Sequence, residues 1–180
     1  MSERPGVVVG IDGSTESRTA VQFALEEAAR RGTGVRVISG LLPPQYWPDA
    51  YGVWAPPTID EMKADLRAIA RRAVDDVVAE RPDLAAVPVE LHEVEGRPGP
   101  VLIAQSRDAD LLVVGHRGRG GVSSAVLGSV GLQCVLHAEC PVTVVRTAVQ
   151  PQAGDEKAEP AGERAVVPSG WGGTVVGPLY

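Results

Sequence analysis

Gly115-His116-Arg117-Gly118-Arg119-Gly120-Gly121-Val122-Ser123-Ser124-Ala125-Val126-Leu127-Gly128-Ser129-Val130-Gly131 is the stretch that sets the architecture of this chain. An apolar run, Leu111-Leu112-Val113-Val114, precedes it and predicts a strand buried on both faces. An apolar segment from Ala125 to Leu136 follows, predicting a helix that runs on to His137. Gly115, Gly118, Gly120 and Gly121 crowd the turn between them. Glycine lets backbone N–H groups approach an anion with no Cβ in the way, and a helix N-terminus adds positive potential. Strand, glycine turn and helix start together predict a phosphate cradle.

The remaining elements alternate in the same way. Val7-Val8-Val9-Gly10-Ile11 predicts a central strand, and Asp12-Gly13-Ser14 ends it with turn chemistry. Ser14 or Thr15 is placed to cap a helix from about Glu16 to Arg31, where Ala20, Val21, Ala24, Leu25 and Ala28 repeat at helical spacing and Gly32 stops the run. A second strand lies within Gly34 to Leu42. The loop from Pro43 to Thr58 holds Tyr46, Trp47, Tyr51 and Trp54, and reads either as a lid or as a loop packing its aromatics on a neighbouring helix. Thr58 to Glu80 predicts a helix with Met62, Leu66, Ile69, Ala73 and Val77 on one face, capped by Thr58 or Asp60. Val87 to Val94 alternates like an edge strand. Gly96 to Pro100 reads as a turn with Pro100 opening a short helix, Val101 to Arg107, and Pro141 to Arg146 is the last strand. Strands alternating with helices give an α/β fold: an open parallel sheet with helices on both faces, three layers in all. Ligands of such sheets bind beyond the carboxyl ends of the strands. Asp12, Gly40 and Gly115 all fall there.

Composition narrows the function classes. The 180 residues are 44% hydrophobic but only 4% aromatic, so the core is built of Val, Leu, Ile and Ala. A net charge of −6 argues against a nucleic-acid binder, which needs a broad basic face. Arg117 and Arg119 instead make a local cluster that suits a small anion. No apolar run approaches the ~18 residues of a membrane span, and Met1 to Gly6 has no signal-peptide core. Cys134 and Cys140, not spaced as CxxC, are expected as reduced thiols in a cytoplasm. His137 and Cys140 alone do not close a zinc site, no Ser-His-Asp set is apparent, and Ser123 and Ser124 read as a polar turn rather than phosphate acceptors. Residues 1–147 therefore read as one domain. Residues 148–163 have the composition of a disordered tail, and Val166 to Tyr180 regains apolar residues as either a docking peptide or a frayed end.

Neither common phosphate fingerprint is met. No glycine precedes a lysine as in GxxxxGK[ST], and Gly118-Arg119-Gly120 leads to Ser123 where GxGxxG needs glycine. What stands instead is Gly115-x2-Gly118-x9-Gly128-Ser129. This resembles the nucleotide motif of the universal stress protein family, G-x2-G-x9-G-[S/T]. Val8 to Ser14, Ala109 to Gly115 and Gly128 to Val142 resemble that family's first strand and turn, fourth strand, and last helix and strand, in order. The resemblance spans roughly Pro5 to Arg146.

It implies a Rossmann-like sheet of the adenine nucleotide alpha hydrolase type with strand order 3-2-1-4-5, and an ATP-binding stress-response or signalling module, with Mg²⁺ accompanying ATP. Ile11, Asp12 and Gly40 would border the adenosine. Gly115, Arg117 and Gly118 would contact ribose and phosphates, and Gly128, Ser129, Val130 and Gly131 would hold the phosphate chain. Gly40 departs from the apolar side chain that family members often carry beside adenine. The resemblance also implies a homodimer paired through the Pro141–Arg146 strand; it does not cover the tail, which would serve a protein partner only on its docking-peptide reading. With no Walker lysine and no general base, the expectation is binding with at most slow hydrolysis; the alternatives are a slow ATPase or autokinase with Ser129 or a nearby serine as acceptor, and a non-nucleotide protein-interaction module in which the glycine loop is only a turn.

Overall fold

The computed structural model describes residues 6–42, 57–118 and 127–147. The elements run β1 (Val7–Gly10), α1 (Thr15–Arg31), β2 (Val35–Leu41), α2 (Ile59–Glu80), β3 (Val89–Glu95), α3 (Pro98–Gln105), β4 (Leu111–Gly115), α4 (Ser129–His137) and β5 (Val142–Val145). All five strands are parallel, in the order β3-β2-β1-β4-β5, as expected. The chain moves outward from β1 through β2 to β3, then crosses back to lay β4 on the other flank of β1. The β1/β4 boundary is thus the topological switch point, where the strands' carboxyl ends leave a crevice.

Strand alternation builds two cores. Val7, Val9, Val35, Val37, Leu111 and Val113 face α1 and α2, meeting Ala20, Val21, Ala24, Leu25, Val74 and Val77. Val8, Ile38, Leu112 and Val114 face the other way and meet Val101, Leu102 and Cys134 of α3 and α4. Burial on both faces explains why β1 and β4 read as continuous apolar runs. Few aromatics are needed because small helix residues let α1 approach the sheet closely; Ala20, Ala24 and Ala28 are all fully buried.

Three element starts differ from expectation by at least two residues. α3 begins at Pro98, not Val101. Pro98 takes the first helical position and Pro100 the third, where a missing N–H costs nothing. α4 begins at Ser129, because Gly128 is extended and serves as its N-cap; Ala125 and Val126 lie outside the described residues. β3 starts at Val89, two residues late, since Val87 closes the short turn after Pro82–Leu84. The aromatic loop through residue 56, Ser123, Ser124 and the tail from residue 148 also lie outside.

Candidate functional site

The turn after β1 is fixed by one carboxylate oxygen. Asp12 Oδ1 accepts the Ser14 N–H at 3.0 Å and the Ser14 hydroxyl at 2.6 Å. Ser14 Oγ in turn caps α1 by accepting from the Ser17 N–H at 3.2 Å. Gly13, at φ 81°, supplies the left-handed residue this turn requires. The turn reading of Asp12 is therefore correct, but incomplete. Its second oxygen, Oδ2, lies against Gly118, where a Cβ would collide with it. The turn after β1 and the glycine loop after β4 are in direct contact.

The loop's two ends are joined at His116. Its N–H donates to Val145 O at 2.7 Å, and its carbonyl accepts the Gly128 N–H at 2.9 Å. A Cβ on Gly128 would stand 3.3 Å from that carbonyl, and one on Gly131 would lie 3.7 Å from Gly115 O. Two glycine pairs separated in sequence thus become one surface. α4 opens on it with no capping side chain, so Ser129, Val130 and Gly131 carry first-turn N–H groups that the helix itself leaves unused. Gly115 packs on the backbone of Glu16 at the start of α1.

Ile11 and Gly40 lie one strand further. The Ile11 N–H reaches Ile38 O at 3.0 Å, two residues before Gly40 on β2. A Cβ on Gly40 would come within 2.9 Å of Pro98 Cα. The close approach of α3 therefore accounts for glycine at this position without reference to any ligand.

The charges around the loop are distinctive. Partial burial, then Arg146 and Arg117, hold the His116 imidazole below its ordinary range, and Glu16 opposes them. Arg146 and Glu16 were not singled out by sequence; only the β4/β5 register brings Arg146 here. Elsewhere, burial first and then Cys140 push the Cys134 thiol up to about 11, as expected of an inert core thiol. His137 sits in the last turn of α4, and among the described residues no three acidic, histidine or cysteine side chains gather as metal ligands.

A parallel sheet ordered 3-2-1-4-5, with a glycine clamp at its switch point, defines a Rossmann-like nucleotide-fold class. The sequence model of the universal stress protein family matches residues 5–146, and the chain belongs to that family. A universal stress protein of Mycobacterium tuberculosis is 34% identical over 149 residues, covering 83% of this chain and 51% of the relative. The chain thus spans about half the length of the curated relatives it matches. A universal stress protein solved in complex with cAMP is 29% identical, with a TM-score of 0.56 over 77% of this chain and 94% of that one. The universal stress protein UspA from Lactobacillus plantarum, 21% identical, shares the fold at a TM-score of 0.55 over 79% of this chain and 99% of that one.

Proposed function

We propose that this chain binds an adenine nucleotide, ATP with Mg²⁺, in the crevice beyond β1 and β4. It would act in the cytoplasm as a nucleotide-dependent stress-response module. The observation that carries this reading is the contact of Asp12 with Gly118 alongside the His116–Gly128 hydrogen bond. Together they form a cradle that a Cβ would fill, opening onto an uncapped helix start. The relative solved with cAMP supports an adenine nucleotide as the ligand class.

The residues divide the work. Backbone N–H groups of Ser129, Val130 and Gly131 would hold phosphate oxygens, with the Ser129 hydroxyl adding a donor, while Gly128, its own N–H held by His116 O, would let the phosphate chain approach with no Cβ in the way. Gly115, Gly118 and Arg117 would take ribose and the inner phosphate, while Ile11, Asp12 and the Gly40 backbone border the nucleoside. Mg²⁺ would supply neutralising charge on the phosphates, with Asp12 reaching it through water. Nothing in the donor set acts as a fast general base, so occupancy rather than turnover is the signal. Labelled ATP with a Ser129→Ala control tests for transfer or hydrolysis.

Calorimetric titration with ATP tests the binding reading. Gly118→Ala drives a methyl into the Asp12 carboxylate, and its affinity should fall at least about tenfold, or ~1.4 kcal/mol. Thermal denaturation should show the variant folded. No binding by the parent, or equal binding by a folded variant, would sink the proposal.

A further inference from the structure

The site has a second wall, on the side of β5. Gly115 and Val145 are register partners at the ends of β4 and β5. His116 and Arg146 are therefore neighbours where the strands leave the sheet, and the 2.7 Å bond from His116 N–H to Val145 O fixes that step. The chain beyond β5 is tied down, because the Thr147 and Thr19 hydroxyls are 3.2 Å apart. The backbone at Arg146 thus passes between the end of β4 and the first turns of α1, with its side chain exposed. On its other side, His116 is one backbone hydrogen bond from the N-cap of α4.

Among the described residues, the charges acting on His116 are Arg146 just after β5, Arg117 from the loop after β4, and Glu16 from α1. α4 adds the positive end of its dipole. Around this imidazole stand two guanidinium groups and a helix start, and Glu16 is the carboxylate that opposes them. An anion arriving there would favour the imidazolium form.

We propose that His116 and Arg146 form a charge-reading subsite that takes the outer phosphates of a nucleotide polyphosphate, His116 gaining a proton from solvent as they arrive. This rests on the nucleotide reading above and adds a preference: a phosphate chain over a monophosphate. Arg146 offers a planar fork of N–H donors, and protonated His116 adds another charged donor.

The test is calorimetric titration of the full chain with ATP and AMP at about pH 6 and about pH 8, in two buffers of different ionisation heat. ATP should bind more tightly than AMP, the ratio should widen toward the lower pH, and ATP binding should take up a proton. In Arg146→Gln the ATP-to-AMP affinity ratio should fall about tenfold, the loss of one charged hydrogen-bonding partner. Arg146→Lys should recover part of it. In His116→Gln the proton uptake should shrink and the ratio lose most of its pH dependence, separating the imidazole from the phosphate's own titration. If the parent binds both nucleotides and the folded variants keep its ratio and proton uptake, the subsite is overturned and the nucleotide reading survives. If the folded parent binds neither nucleotide, both fall.

Discussion

Asp12 holds two jobs in one carboxylate. Oδ1 is spent on the Ser14 turn, while Oδ2 faces Gly118. The jobs separate by substitution. Asp12→Asn keeps an acceptor for the Ser14 N–H but loses the charge, so it should fold with the turn intact yet bind Mg²⁺-ATP more weakly. Asp12→Ala loses the turn bond as well and should cost about 1 kcal/mol in urea denaturation. Equal ATP affinity in all three proteins would remove Asp12 from the site. His116 makes a pH prediction whose sign follows from linkage. Its folded pKa is lowered from 6.5, so below that value the unfolded chain binds a proton that the native chain does not. The His116 contribution is therefore fully present above about 6.5 and is lost as the pH falls through the unfolded value toward the lowered folded one. Urea midpoints measured down to about pH 5 should decline less steeply in His116→Gln than in the parent.

At the scale of elements, what was legible was whatever local chemistry decides. The periodicity of α1 and α2 and the apolar runs of β1 and β4 gave their positions because each is set by its own buried face. The start of α4 was not legible. Leu127-Gly128 falls inside an apolar segment that looks helical, but the Gly128 N–H is drawn out to His116 O, a bond between residues twelve positions apart that no local pattern contains. Gly40 was visible only as a missing apolar contact, since its reason, Pro98, lies across a crossover. The placing of Gly115 and Gly118 at the turn after β4 and of Gly128 at the start of α4 was legible from their spacing, whereas the nearness of Arg146 to His116 depends on sheet register and was not. Capping shows the same division. Thr58 and Asp60 both suit the start of α2, and Thr58 takes the cap because Glu61 closes a capping box with it. Thr58→Ala should therefore lower stability by ~1 kcal/mol, and Asp60→Ala by clearly less. Equal losses in urea denaturation would show that the box contributes nothing.

For the whole molecule, the two sheet edges differ in a way that bears on assembly. β3 is guarded by Glu90, His92, Glu93 and Glu95, with Arg67 folded over Glu93 so that the Glu93 side chain is only 4% exposed, and Lys63 bound to Glu95. Charges of this kind block strand addition. β5, Val-Thr-Val-Val, carries none, and beside it α4 exposes Leu132, Val135 and Leu136 as a stripe. We therefore predict a homodimer through this edge. The bonds from Leu112 N–H to Pro141 O and from His116 N–H to Val145 O show which β5 residues face β4: the odd-numbered ones. Val142 and Val144 then present their backbone groups outward. Val144→Pro removes one outward donor while leaving the β4 ladder intact, and an edge strand is where proline is tolerated. Light scattering at micromolar concentration should give the parent twice its 18.8 kDa chain mass and the variant a value near one chain, with the variant's far-ultraviolet circular dichroism unchanged. A parent of single-chain mass, or a variant that stays paired, would place the contact elsewhere. The edge of β5 would then need another reason for carrying no charge.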